Sequence, residues 1–302
     1  MRRPLSSEFL KAIAVALALC AAGAGNPRQS LEAVMTDAFA GQTGGAIVLH
    51  VSDGNILAMH DQRILAQRIA TPGSAIKPFV LEVLLEKGVV KPNDTISCHR
   101  PLLIAGRSLT CSHPVEISSF NAEDALAYSC NTYFVTAATR LAHGDLERRF
   151  EQLNFTHPSG LLPNEGEGRI IPEHSLADRQ LLAIGAAGIQ ITPLEMAAAY
   201  LKLARIDPAH ATPAQQTVLS GLRSATDYGL AQAAKPSTIS VAGKTGTAAD
   251  PTNPQTHAWF AGFAPADHPE IVVVVFVERG HGSAEAATIA RRIFEAYAEQ
   301  RR

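Results

Sequence analysis

Residues 71–80 read TPGSAIKPFV, a Pro-Gly turn followed by Ser74 and Lys77 three positions apart. From Ile76 the apolar positions recur at Val80, Val83 and Leu84 until Gly88, which predicts a helix starting near Ser74. Residues three apart on a helix share a face, so the Ser74 hydroxyl and the Lys77 amine come within reach of each other. A helix start also offers unpaired N–H groups and a partial positive charge, which favour an alkoxide and disfavour a protonated Lys. To act as a base, Lys77 must lose its proton far more easily than a free Lys, which requires desolvation and a second cation nearby. On its own the pair carries little weight. About one S-x-x-K arises by chance in a chain of this length, and a capping Ser beside a solvated Lys is the ordinary explanation.

Around this stretch the chain reads as globular. Its 302 residues are 46% hydrophobic, enough for a sizeable core in one large domain or two small ones. A formal charge of -2 without a block of Lys and Arg leaves no electrostatic footprint for nucleic acid, so a small-molecule or peptide substrate is expected. Residues 1–25 differ in kind: MRRPLSSEFLK is basic, AIAVALALCAAGA is apolar and small, and GNPRQ is polar. That order is an export signal with Ala22 and Ala24 placed for cleavage, or a membrane anchor if uncleaved, followed by a single domain over 26–302. The apolar run is short for a transmembrane helix, and Leu19 before Cys20 is too bulky for a lipoprotein signal.

The rest alternates in an ordered way. AIVLHVSDGNILAMH is a hairpin pattern, and helices are expected at AEDALAYSC, NTYFVTAATRLA and PLEMAAAYLKLA. STISVAGKTGTAA, HAWFAGFAP and EIVVVVFVERG read as strands, and SAEAATIARRIFEAYAEQ as a closing helix. Strands at both ends with helices between predict an α+β fold whose sheet is assembled from the two termini. Cys98 and Cys111 bracket HRPLLIAGRSLT, either as a disulfide, worth about 3 kcal/mol in the chain-entropy model, or as two free thiols. No C-x-x-C or H-E-x-x-H spacing occurs among the cysteines and eleven His residues, so neither a metal nor a cofactor is expected.

Two further motifs follow S-x-x-K in order: SCN at Ser129, Cys130 and Asn131, then KTGTA from Lys244 to Ala248. The joint pattern is far rarer than any one part, and it is the signature of penicillin-interacting serine acyltransferases. PGSAIKPF, YSCNTYF, AIGAAGIQITPLEMAAAY, VAGKTGTA and HAWFAGFAP resemble the transpeptidase domain of class B penicillin-binding proteins over nearly all of the chain after residue 25. The resemblance implies a β-lactamase/transpeptidase-like fold, with a five-stranded antiparallel sheet flanked by helices, a helical lobe, and the active site between them. It implies Ser74 as the acylated nucleophile, Lys77 as proton acceptor, Ser129 as the relay to the leaving group, and Asn131 as the group holding Lys77 and the substrate amide. Lys244 would be the second cation. With Thr245 or Thr247 it would bind the terminal carboxylate of the donor peptide, while Gly246 would leave room for substrate against the strand. The backbone N–H groups of Ser74 and Thr247 would form the oxyanion hole.

The implied partners are peptidoglycan stem peptides, β-lactam antibiotics and envelope proteins, and the implied place is the cell envelope. SFN at Ser119 to Asn121 is also S-x-N, but the acidic residues after it make Asn121 a helix cap. Cys130 reads as a small buried filler between catalytic neighbours. A serine β-lactamase or D,D-carboxypeptidase hydrolysing the same acyl-enzyme is the alternative. FEQLN, however, puts Phe150 where class A β-lactamases keep their hydrolytic Glu, with Glu151 one residue late. A non-catalytic β-lactam sensor or scaffold is the second alternative.

Overall fold

In the run Ile271–Val277, IVVVVFV, every side chain is buried, as expected for a strand covered on both faces. The computed structural model describes residues 29–250 and 253–301, so the expected export segment, residues 1–25, lies outside the described residues. Among the described residues no helix is long and apolar enough to cross a membrane.

In chain order, α1 (Leu31–Phe39) precedes the hairpin of β1 (Gly44–His50) and β2 (Ile56–His60). Eight helices then follow: α2 (Gln62–Gln67), α3 (Lys77–Glu86), α4 (Ala122–Ala127), α5 (Asn131–Ala138), α6 (Asp145–Gln152), α7 (Leu176–Ala183), α8 (Pro193–Ala204) and α9 (Pro213–Asp227). The strands β3 (Ala242–Asp250), β4 (Asn253–Ala264) and β5 (Ile271–Val277) come next, followed by α10 (Ala287–Gln300).

The five strands form one antiparallel sheet in the order β2-β1-β5-β4-β3. Val275 of β5 pairs with Ala46 of β1 on one side and Phe260 of β4 on the other, so the two chain ends meet at the centre. Alternation along the strands then splits the core in two. Ile47, Leu49, Val272, Val274, Phe276 and Trp259 pack toward the middle helices with Phe79 and Tyr200. Ala46, Val48, Val273, Val275 and Phe260 pack toward α1 and α10 with Met35, Phe39, Ile293 and Phe294. The expected α+β sheet is therefore present, with β3 at an edge, where its outer side borders the helical lobe.

Local signals mostly hold. The β1–β2 turn has Gly54 at φ 79, and Asn121 caps α4 by accepting from the Asp124 N–H at 2.8 Å. The helix expected from Ser74 begins later. Gly73–Ile76 is a single 3₁₀ turn, and α3 starts at Lys77 with Pro78 in its first turn, where the missing N–H costs nothing.

Candidate active site

Ser74 lies in the tight turn before α3, and that turn is braced on several sides. Gly73 has φ 55, and a Cβ there would meet the Thr247 carbonyl oxygen at 2.6 Å, so only glycine fits. Its N–H donates to the Gly185 carbonyl at 3.1 Å. The buried Tyr200 hydroxyl donates to the Ala75 carbonyl at 2.8 Å. Trp259 Nε1 and His257 Nε2 both donate to the Thr71 carbonyl, at 3.0 and 2.8 Å. None of these braces is legible as a motif, because each reaches the turn from a distant element.

Lys77 is fully buried, and its amine donates to the Ser129 carbonyl at 2.8 Å, the Ser129 hydroxyl at 3.2 Å and Asn131 Oδ1 at 2.6 Å. Three acceptors match the three protons of an ammonium. The Lys77 backbone N–H donates to the Ser74 carbonyl within the 3₁₀ turn, but among the described residues no hydrogen bond joins the Ser74 hydroxyl to the Lys77 amine. The 3₁₀ turn and the commitment of Lys77 to the second motif replace the direct contact expected from spacing. Burial lowers the Lys77 pKa to about 8, against the raising influence of Cys111 and Cys130. Ser129 sits at φ 56, a conformation unusual for a residue other than glycine, between the end of α4 and the start of α5. Asn131 Nδ2 in turn donates to the Thr110 carbonyl at 2.8 Å.

The third motif lies along β3. Lys244 and Thr245 are buried, and the Lys244 amine donates to the Thr245 carbonyl at 3.1 Å. Burial, and then the charge of Lys77, hold Lys244 well below the usual Lys range. Burial is thus the main cause of the depression at both amines, and the Coulombic effect runs from Lys77 onto Lys244. Thr247 is exposed, and its hydroxyl oxygen accepts from the Gly282 N–H at 2.9 Å, leaving its proton to donate elsewhere. Gly246 needs correction. A Cβ there would meet the Pro72 carbonyl oxygen at 2.4 Å and the Ala75 nitrogen at 2.9 Å, so the glycine makes room for the Ser74 turn rather than for a substrate.

Ser74, Asn131 and Thr247 line one cleft of about 500 Å³ with Thr71, Gly73, Arg107, Leu109, Ile184, Ala186, Ala248 and Ala249. A second cavity, of about 520 Å³, is bounded by Gly41–Thr43 and Val277–Arg279 and holds none of the motif residues. The chemistry therefore points to the first.

Residues 44–295 match the penicillin binding protein transpeptidase domain. The chain belongs to this family. It is similar, at 26% identity over 289 residues, to the peptidoglycan D,D-transpeptidase MrdA of Acinetobacter baumannii, covering 76% of this chain and 42% of that one. Likewise it is 28% identical over 206 residues to the peptidoglycan D,D-transpeptidase PbpA of Mycolicibacterium smegmatis, covering 56% and 42%. The chain spans about half the length of the curated relatives it matches. The crystal structure of Pseudomonas aeruginosa PBP2 shares the fold with a TM-score of 0.78 at 23% identity, over 88% of this chain and 76% of that one. Helicobacter pylori PBP2, solved in complex with MreC, does so with a TM-score of 0.79 at 20% identity, over 89% and 62%.

In this transpeptidase domain Phe150 is buried in the core beside Phe155, and Glu151 is exposed on α6. Neither borders the cleft. The cysteines depart from expectation more sharply. Cys98 and Cys111 are both free thiols, with sulfurs 3.7 Å apart, so the disulfide alternative gives way. Cys130 is not mere filler: Cys98, Cys111, His113 and Cys130 bring their donor atoms within 4.8 Å of one another. Three thiols and an imidazole are a donor set for a tetrahedral soft cation, and 3.7 Å is close to the edge of about 3.8 Å that a zinc–thiolate tetrahedron requires. The expectation of no metal-binding arrangement is thus corrected. Sequence spacing missed it because the donors come from three segments of the chain. A hydrogen bond with Cys130 pulls the Cys111 thiol down, toward the ligating thiolate, while Cys130 is pushed up by the same contact and by burial. Arg100 donates to His113 Nε2 at 3.0 Å and would have to release that nitrogen to a cation.

Proposed function

We propose that this transpeptidase domain is an exported serine D,D-transpeptidase of the cell envelope. It would act on peptidoglycan stem peptides ending in D-Ala-D-Ala and be acylated by penicillin at Ser74. The observation that carries the reading is the contact of the Lys77 amine with both Ser129 and Asn131 at the cleft that Ser74 and Thr247 line.

In this scheme Ser74 Oγ forms a bond to the penultimate D-Ala carbonyl carbon. Its proton passes to neutral Lys77, directly or through the Ser129 hydroxyl. With a pKa of about 8, roughly a tenth of Lys77 is neutral at pH 7. The Ser74 and Thr247 N–H groups stabilise the oxyanion, each donor worth about 3 kcal/mol in acyl transfer. Gly73 lies against the Thr247 backbone, which supports both donors facing one carbonyl. Collapse of the intermediate breaks the C–N bond, and Ser129 returns the proton to the leaving D-Ala amine. A peptide amine then attacks the Ser74 ester and loses its proton to Lys77, the C–O bond to Ser74 breaks as the amine takes the acyl group, and Lys77 returns the proton to Ser74 Oγ. Thr247 offers its hydroxyl proton to the terminal carboxylate, while Lys244 and Thr245, buried on the same strand and not bordering the cleft, would support that wall from behind. No cofactor enters the scheme.

Residues 1–25 are proposed as the export signal or anchor. Envelope protein partners fit the same reading, since the Helicobacter pylori PBP2 structure is of a complex with MreC.

The test is covalent labelling. A fluorescent penicillin should label wild type and leave Ser74→Ala dark, and intact-protein mass spectrometry should show one adduct that persists for many minutes. Labelling of both proteins would overturn the Ser74 assignment. Rapid turnover of a chromogenic cephalosporin would replace the transpeptidase reading with the hydrolase one.

A further inference from the structure

Arg107 is the one charged side chain bordering the Ser74 cleft among the described residues. It is exposed, and among the described residues no hydrogen bond or ion pair engages its guanidinium. Its position is nonetheless fixed by the backbone. Leu102–Ile104 and Arg107–Leu109 pair as a small hairpin, with Ile104 opposite Arg107. The two residues between them, Ala105 at φ 48 and Gly106 at φ 74, both have positive φ, as in a tight type I′ turn. Ile104 beside the turn is buried, and the open end of the hairpin is tied to the start of α5. Asn131 Nδ2 donates to the Thr110 carbonyl at 2.8 Å, and Thr132 Oγ1 donates to the His99 carbonyl at 2.9 Å. The hairpin thus holds a cation at the cleft mouth, anchored to the residue that holds Lys77.

A guanidinium with no protein partner, beside a partly enclosed wall of Leu109, Ile184 and Ala186, is a fork for a carboxylate. The terminal carboxylate of a D-Ala-D-Ala donor belongs to another wall. The leaving residue is a single amino acid, so its carboxylate lies close to the scissile bond, where the Thr247 hydroxyl has a proton to give. The remaining length of the cleft faces the part of the donor that stays on Ser74.

We propose that Arg107 is a specificity-determining residue that reads a second carboxylate, carried on the acyl part of the donor peptide. The proposal rests on the reading of Ser74 as the acylated residue. It implies a diacidic donor in preference to one whose side-chain carboxylate is amidated.

The experiment compares acylation of wild type, Arg107→Gln and Arg107→Lys by benzylpenicillin and by its α-carboxy analogue, which adds one carboxylate on the acyl side chain. Arg107→Gln should slow the dianionic probe about tenfold, the scale of one charge-assisted hydrogen-bond pair, and change the monoanionic probe less than twofold. Arg107→Lys should recover part of the loss. Equal loss with both probes would mean that Arg107 serves the carboxylate they share or the fold, and no loss with either would mean that it reads nothing; each overturns the proposal. If neither probe labels wild type, the acyl-Ser74 reading fails on its own. Arg107 is then decided by calorimetric titration of a D-Ala-D-Ala peptide with and without an amidated side-chain carboxylate. A selective loss of the diacidic peptide in Arg107→Gln supports the assignment, and unchanged binding overturns it.

Discussion

The turn carrying Ser74 and the segment carrying Ser129 and Asn131 face the same cleft but are held by different physics. The Ser74 turn is pinned by the body of the fold: Tyr200 from α8, Trp259 and His257 from β4, and the backbones of Gly185 and Thr247. Its braces are buried hydrogen bonds on elements that cannot move without disturbing the core. The segment from Cys98 to Asn131 has only two-residue and three-residue strand ladders before α4 anchors it in the core through Ala122, Ala125 and Leu126, and it gathers Cys98, Cys111, His113 and Cys130 within 4.8 Å of one another. The nucleophile is therefore positioned by the main fold alone, while Ser129 and Asn131 lie between two core helices and the small polar, sulfur-rich cluster beside them. Lys77 joins the two regions, with its backbone on the first and its amine bonded to the second.

The link itself is the place to break first. Lys77→Ala should acylate with penicillin at least 100-fold more slowly than wild type, the scale of a lost general base. Stopped-flow or gel-based labelling checks the rate, and circular dichroism checks that the variant is folded. Near-normal acylation would mean that another group takes the proton.

Next comes the cluster. Protein purified without chelator is expected to carry about one zinc per chain by elemental analysis, and Cys98→Ser with Cys111→Ser to lose it. Because Cys130 lies between Ser129 and Asn131, loss of the ion should slow acylation, though by less than the loss of Lys77 does. Metal-free protein that acylates at the full rate would reduce the cluster to packing.

A smaller effect comes from pH. The base form of Lys77 is the neutral one, so acylation should rise as pH climbs toward its pKa of about 8, by about fivefold between pH 7 and pH 8. A flat profile across that interval would remove Lys77 as the titrating base.

The smallest effect tests the rigid side of the contrast. Tyr200→Phe leaves the Ala75 carbonyl without its donor, at a cost of about 1–3 kcal/mol, and should lower Tm by a few degrees. Because four other contacts still hold the turn, the acylation rate should change by less than the cluster variants change it. A larger loss in Tyr200→Phe than in Cys98→Ser with Cys111→Ser would reverse the contrast between the two regions.

Much of this was legible in the chain itself. The all-apolar IVVVVFV run, the SDGN turn and the period of the helices from Asn131 and Pro193 predict the elements that form, because burial and turn geometry are local demands on residue type. The order S-x-x-K, S-x-N, K-T-G was enough to indicate one shared site, since three short motifs rarely fall in that order without one. Tertiary structure alone decided what those residues touch. It gave Lys77 to Ser129 and Asn131 rather than to Ser74, buried Lys244, and made Gly246 the floor under the Ser74 turn. It also gathered Cys98, Cys111, His113 and Cys130 from separate segments and set Arg107 on the cleft. Contacts between residues far apart in the chain follow from how the sheet and lobe close on each other, and neither spacing nor periodicity encodes a distance across that closure.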